Sequence, residues 1–253
     1  MDISIIMVVR NEEKQIRECL ETVSWADEII VIDQSSVDST LKIAREFTNN
    51  VFITESKGYC EPDRNLATEK TSGRWIFYID ADERVTTELR DEILSIVRSD
   101  NLVPAYYVKR RNHFLGKWIK TCGWYPSPVL RFFKKGEIVF PNEIHQVPPY
   151  KEEYGYLKND LIHYSYSSLE EYFEKFNRYT TQLAKEEFEA GKKITFLNFI
   201  PNFLLKPLYN FLLKYIWYQG FRDGFRGFFI SVSSALTAFV SKAKLWEIWQ
   251  REK

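Results

Sequence analysis

RWIFYIDADERV, residues 74–85, joins an apolar run, Trp75 to Ile79, to three carboxylates within four positions, Asp80, Asp82 and Glu83. The run reads as a buried strand. Crowding like charges at its end raises their pKa values and costs free energy unless something positive sits among them. A helix N-terminus supplies a little of that charge; a divalent cation supplies more. Asp80-Ala81-Asp82 places two carboxylates one small residue apart, so both can face a metal or a metal–diphosphate pair. The pattern also occurs in ordinary loops and calcium sites. At the end of a hydrophobic strand it predicts that a cation and a nucleotide diphosphate offset the acids, while Glu83 serves the following turn.

Working outward, strands and helices alternate. Ile3 to Val9 is β-rich, and Ile16, Cys19, Leu20 and Val23 then recur at helical steps. Glu28 to Asp33 is a second strand. The polar loop Ser35 to Thr40 leads into a helix from Leu41 to Phe47. Val51 to Ile53 is a short third strand, Arg64 to Lys70 a helix, and Trp75 to Asp80 the fourth strand, before a helix from Thr87 to Val97. Such alternation predicts an α/β fold with a mostly parallel sheet. In open sheets of that kind ligands bind beyond the carboxyl ends of the strands. Asn11, Asp33 and Asp80 all fall there. An Asp after a strand is also a common turn or helix cap, so for Asp33 alone both readings stand.

The 253 residues carry 35 basic and 35 acidic side chains, a net charge of zero that gives no reason to expect nucleic acid as a partner. The three cysteines, Cys19, Cys60 and Cys122, are odd in number and lack CxxC spacing. They predict neither a disulfide framework nor a zinc site, and fit a reducing cytoplasm. The opening MDISIIMVVRNEE has no basic n-region, and its apolar run is short for a signal peptide.

Residues 8–44, VVRNEEKQIRECLETVSWADEIIVIDQSSVDSTLKIA, followed by DRNLATEKTSGRWIFYIDADE at 63–83, resemble the family 2 inverting glycosyltransferases of GT-A fold. Within them the chain is most similar to the bacterial lipopolysaccharide core β-1,4-glucosyltransferase group. The likeness continues more loosely through GWYPSPVLRFFKKG (123–136) and IHYSYSSLEEYFEKFNRYT (162–180). It implies that Arg10, Asn11 and Glu12 line the nucleotide pocket, that Asp33 contacts base or ribose, and that Arg64 approaches the donor. It also implies Asp80 at the ribose or the metal's water shell, Asp82 on Mg²⁺ or Mn²⁺ directly, and His163 as a further metal ligand. Lys175 and Arg178 would reach the diphosphate; an ordinary charged helix face is the alternative. The base that takes the acceptor's proton is sought in PNEIHQVP, 141–148, with Glu143 first and His145 second. The family commonly shows His-Glu where this chain has His145-Gln146, and an acid after Tyr-Pro where it has Ser127.

Residues 194–249 are rich in Phe, Leu, Trp and Tyr, interspersed with Lys206, Lys214, Arg222, Arg226, Lys242 and Lys244. No stretch reaches the ~18–20 uninterrupted apolar residues of a spanning helix. Aromatic clusters with long cationic stems predict helices lying in a membrane interface; the alternative is a packed helical layer or homo-oligomer interface. The sequence is thus read as a catalytic domain over 1–190 and a membrane-associating or oligomerising helical region over 191–253. The expected activity is metal-dependent transfer of a hexose, glucose from UDP-glucose in particular, to a lipid-linked saccharide at the cytoplasmic face of the inner membrane. Two rivals are a sugar-phosphate nucleotidyltransferase, for which the N-terminus lacks a Gly-rich triphosphate loop, and a non-catalytic sugar-nucleotide-binding scaffold.

Overall fold

The computed structural model describes residues 2–56, 61–99, 102–141, 148–149 and 151–252, with Glu61 and Pro62 described by their backbone. The chain forms two compact units. One comprises Met1–Arg110 with Ser127–His163, the other Arg111–Pro126 with Tyr164–Lys253. The compositional boundary at 190/191 falls inside the second unit.

The first unit opens as the sequence predicts. Strand β1 (Ile3–Val9) is buried along its whole length, as a parallel strand covered on both faces must be. Helix α1 (Ile16–Val23) buries Ile16, Cys19, Leu20 and Val23, the four residues whose spacing announced it. Then follow β2 (Glu28–Asp33), α2 (Thr40–Phe47), β3 (Val51–Ile53), α3 (Glu61–Lys70), β4 (Trp75–Tyr78), β5 (Glu83–Val85) and α4 (Thr87–Arg98). The Thr86 hydroxyl caps α4 by accepting the Leu89 amide at 3.2 Å. Side chains alternate across β1. Ile3, Ile5, Met7 and Val9 pack with α1 and α4, whereas Ile6 and Val8 pack with Ile30, Ile76, Tyr78 and Ala67.

Strands β3, β2, β1 and β4 are parallel neighbours. Beyond β4 the sheet changes character, which the sequence reading did not anticipate. Strands β6 (Ala105–Phe114), β7 (Lys117–Trp118), β8 (Pro128–Lys134), β9 (Gly155–Tyr156) and β10 (Leu161–Tyr166) follow α4. The order is β3-β2-β1-β4-β8-β6-β10-β5. Strand β8 is antiparallel to both β4 and β6, and β10 is antiparallel to β5. The fold is therefore a Rossmann-like mixed sheet, parallel over its first four strands.

A carboxylate fastens the start of this sheet. Glu28 accepts the Ser4 hydroxyl at 2.5 Å, the Ser72 amide at 2.8 Å and the Ser72 hydroxyl at 3.0 Å. The next residue must be glycine, because a Cβ on Gly73 would lie 2.6 Å from Ser4 Oγ. Burial raises the Glu28 pKa, but the bonds from Ser4 and Ser72 and the charge of Lys135 together lower it below the usual carboxylate value. A depressed folded pKa gives stability that is present above the unfolded value of about 4.3 and is lost as pH falls through the folded value. Glu28→Gln is expected to destabilise the protein at pH 7 by about 1 kcal/mol. Urea unfolding repeated toward pH 3 should show that difference shrinking; a constant difference would separate it from this carboxylate.

The second unit contains α5 (Leu169–Glu189), α6 (Phe196–Ile200), a π-turn (Pro201–Leu205), α7 (Lys206–Leu212), a second π-turn (Leu213–Trp217), a 3-10 turn (Gly220–Asp223) and α8 (Gly224–Arg251). Its core gathers Phe114, Ile119, Cys122 and Ile230. Large apolar side chains stand open along the helices, among them Phe196 (95% exposed), Leu197 (89%) and Trp217 (77%). Gly220–Arg251 is long and apolar enough to cross a membrane by length and composition, and 39% of its most apolar window is buried inside the protein.

The cations of this segment behave differently from the expectation. Lys242 binds Glu187 at 2.5 Å, and Lys244 reaches Asn177 O at 2.9 Å and Thr181 Oγ1 at 2.7 Å. Lys214 donates to Cys122 O at 2.9 Å, and Arg226 to Leu115 O at 2.7 Å. Four of the six cations assigned to a lipid surface therefore hold the helices to their own unit. Lys206 and Arg222 remain exposed.

Candidate active site

The carboxyl ends of β1 and β2 are woven together by short polar side chains. Asn11, with a left-handed φ of 55°, donates its amide to Ser36 Oγ at 2.9 Å and accepts the Val37 amide at 2.9 Å. The Glu12 amide donates to Thr40 Oγ1 at 2.7 Å. Arg10, exposed, donates to Ser56 Oγ at 2.5 Å. Asp33 is only 1% exposed, and its carboxylate accepts both the amide and the hydroxyl of Ser36. The carboxylate thus caps its own loop at the carboxyl end of β2. Beside it Gln34 and Thr54 both donate to Asp63, at 2.6 and 3.0 Å.

The acids after β4 are held by a cation that the sequence reading missed. Arg131, in the middle of β8 and 5% exposed, donates to Asp80 Oδ2 and, at 2.7 Å, to Glu83 Oε1. Its guanidinium lies 4.3 Å from the centre of the Tyr78 ring, and the Tyr78 hydroxyl donates to Asp80 Oδ1. Arg110 stands 3.7 Å from Glu83, and Arg64 lies over the other part of this aromatic wall, 4.7 Å from Tyr78 and 5.8 Å from Phe140. The opening crowd of carboxylates is thus offset by the protein's own arginines. Glu83 also serves the turn, as expected, by accepting the Asp80 amide at 3.0 Å.

Electrostatics divide the three acids. Burial raises the Asp80 pKa, but Arg131, Arg64 and the Tyr78 hydroxyl outweigh it, so its carboxyl sits well below the ordinary range. Glu83 is fully buried, and burial together with neighbouring Asp80 pushes its pKa up despite Arg131. Burial, reinforced by Asp80, also pushes the Tyr78 phenol up, so it remains a donor. Asp82 faces elsewhere. Its Oδ2 lies 3.3 Å from His163 Nε2, both side chains are about one-fifth open, and His163 pairs in register with Glu83 across β10 and β5.

The residues proposed as metal ligands, Asp80, Asp82 and His163, fall into two groups in this geometry. Both oxygens of Asp80 already accept from Tyr78 and Arg131, whereas Asp82 and His163 converge. Among the described residues no group of three or more His, Cys, Asp or Glu side chains is placed to hold a metal. The donor set fits a cation that brings its remaining ligands with it, as a diphosphate-bound ion does, better than one held by protein alone.

The other predicted residues are placed as follows. Glu143 and His145 lie outside the described residues. Lys175 and Arg178 belong to the second unit, on α5. Lys175 donates to Glu171 Oε1 at 2.7 Å and lies 5.1 Å from the Tyr166 ring centre; Arg178 is exposed. Besides Arg131, sequence reasoning missed Arg84, which is buried and donates to Ala81 O at 2.8 Å and Gln15 O at 3.1 Å, tying the acid-bearing loop to α1. The available signal for Arg131 was a lone arginine inside the apolar run PVLRFF. An arginine in a buried strand requires a carboxylate partner.

A sheet whose first strands run parallel, with acids past their carboxyl ends, has the layout in which open α/β folds bind their ligands. The chain belongs to Glycosyl transferase family 2, whose profile matches residues 4–150. It is a glycosyltransferase with the GT-A fold. The lipopolysaccharide core biosynthesis glycosyltransferase LpsC of Rhizobium meliloti is 26% identical over 98% of this chain and 93% of its own length. An uncharacterized glycosyltransferase of Rickettsia typhi is 30% identical over 97% of this chain and 87% of its own. Among solved structures, S. aureus TarS 1–349 aligns with a TM-score of 0.47 at 14% identity, over 100% of this chain and 92% of that one.

Proposed function

We propose that the chain transfers a hexose, glucose from UDP-glucose in the first instance, to a hydroxyl of a lipid-linked glycan such as lipopolysaccharide core, with inversion. What carries this reading is the end-to-end likeness to LpsC, which extends through the second unit as well as the family 2 region. Asp82 and His163 would hold Mg²⁺ or Mn²⁺, and the ion, when bound, would neutralise the diphosphate as it leaves. Arg10, Asn11, Glu12 and Arg64 would face the nucleotide. Asp80, fixed by Arg131 and Tyr78, would present its remaining acceptor capacity to the ribose. The acceptor hydroxyl would attack the anomeric carbon opposite the diphosphate, giving its proton to Glu143, with His145 second in line. Lys175 and Arg178 are proposed for the diphosphate.

The open apolar side chains of α6, the π-turns and α7 support attachment to the cytoplasmic face of the inner membrane. Since four of the six nearby cations are engaged internally, attachment would rest chiefly on apolar area, and so persist in salt. One assay tests donor, metal and membrane together. The protein is incubated with UDP-glucose and other UDP-sugars, with Mn²⁺ or EDTA, and with phosphatidylglycerol vesicles carrying rough lipopolysaccharide; UDP release is followed in the sedimented and soluble fractions. Slow metal-dependent release, accelerated by the glycan and sedimenting with the vesicles even in high salt, is the expected result. UDP binding without release would favour a non-catalytic scaffold. Release that ignores metal would remove Asp82 and His163 from the chemistry.

A further inference from the structure

A cavity of about 730 Å³ opens in the second unit, lined entirely by that unit's own residues. Three cations, Lys120, Lys214 and Arg222, contribute to its lining, with Tyr125, Trp217 and Tyr218 as aromatic walls. Asp223 is the one acid among its described lining residues. Its Oδ2 already accepts the Lys120 amide at 3.0 Å, the Thr121 amide at 3.0 Å and the Thr121 hydroxyl at 2.7 Å. The cavity is thus positively charged on balance and carries both flat apolar faces and polar donors.

It is also built rather than incidental. The Cys122 amide donates to Tyr218 O at 3.0 Å, and Lys214 Nζ to Cys122 O at 2.9 Å. Gly220 brings the two walls together: a Cβ there would lie 2.8 Å from Cys122 Sγ and 2.9 Å from Lys214 O. Tyr125 meets the Trp118 ring edge-on at 5.1 Å, and Lys120 lies 4.5 Å from the same ring. These contacts fix the rim before any ligand arrives, which lowers the ordering cost of binding.

Cations converging among aromatic faces suit a ligand with a negative group attached to a sugar ring. The C–H faces of the sugar cover the aromatics, and the cations take the anion through charge-assisted hydrogen bonds. A simple phospholipid headgroup would satisfy the cations but brings no ring to lie against the Tyr125 face. We propose that this cavity recognises a phosphate- or carboxylate-bearing saccharide of the acceptor, with Lys120, Lys214 and Arg222 on the anion and Tyr125 and Trp217 against the ring. The inference rests on the reading of the acceptor as a lipid-linked glycan, and makes the second unit a determinant of acceptor choice.

The test uses the full chain in detergent with UDP present. The probes are rough lipopolysaccharide, the same material dephosphorylated with hydrofluoric acid, and the same material with its carboxylates reduced. Lys120→Gln combined with Arg222→Gln changes two exposed side chains, so folding is retained; Lys214→Gln is a second variant. The double variant is expected to bind native lipopolysaccharide at least about tenfold more weakly. The wild type should show the same loss on whichever probe lacks the recognised anion, and there the variant should lose nothing further. Equal binding of native lipopolysaccharide by wild type and variant overturns the proposal. So does an equal loss on phosphatidylglycerol vesicles free of glycan, which would make the cavity a headgroup site. The UDP-induced rise in melting temperature, measured alongside, reports on the donor site separately. Its absence would count against the donor reading while glycan binding still decides this one.

Discussion

Arg131→Met is expected to destabilise the protein by about 3–5 kcal/mol, the usual cost of leaving a buried ion pair half broken, and to remove turnover. Arg131 reaches two carboxylates, and Glu83 is fully buried. Without the guanidinium, Glu83 is left with the more distant Arg110, at 3.7 Å, and the neighbouring His163. Its pKa, already raised by burial and by Asp80, would climb further until the group took a proton. Asp80 would lose the bond that orients it. Arg131→Lys should recover part of the stability but little activity, because a lysine cannot reproduce a fork that spans two acids. Urea midpoints with far-UV circular dichroism measure the first effect and UDP release the second. A loss under about 1 kcal/mol in Arg131→Met would mean that the pair is solvated and contributes little.

Asp82→Asn is expected to leave the fold intact and lower metal-dependent turnover by about 10²–10³-fold. That corresponds to losing about 3–4 kcal/mol of the charge stabilisation a metal gives a leaving group. The change preserves size, and the side chain faces His163 at 3.3 Å at a partly open position. His163→Ala should cause a smaller loss and raise the Mn²⁺ concentration needed for half-maximal rate. Unfolding profiles should coincide with wild type in both. Full activity of Asp82→Asn would leave Asp80 and its arginines as the whole of the charged apparatus.

The parallel half of the fold was legible because its signals are local. Helix α1 was visible in four apolar residues at helical spacing, and β1, β2 and β4 in short β-rich runs ended by polar residues. Asp80 and Asp82 stood out for the same reason. The antiparallel half was not legible, because β8 lies between β4 and β6 through pairings that no local pattern encodes. The same non-locality hid Arg131: its partners lie about fifty residues earlier, and only pairing between strands brings them together. The cations of the aromatic segment misled for a related reason. Lys242 and Lys244 look like surface charges in sequence, yet partners on α5, 55 to 67 residues away, take them up. Asp33 allowed two readings, and its bonds to the Ser36 amide and hydroxyl could not be seen in the sequence.

The separation of Asp80 from Arg131 also sets an order of events during synthesis. The four parallel strands emerge from the ribosome with Asp80 and Glu83 before their arginine has been made. At roughly 5–20 residues per second, the sequence separation of 51 takes about 3–10 s to synthesise. Through that interval the edge of β4 that will receive β8, carrying Trp75 to Tyr78, has no strand beside it. The nascent chain therefore holds an unpaired strand edge and uncompensated carboxylates at the same place. Arrival of β8 resolves both at once, so closure of the sheet and assembly of the acid cluster are a single step in the life of the polypeptide.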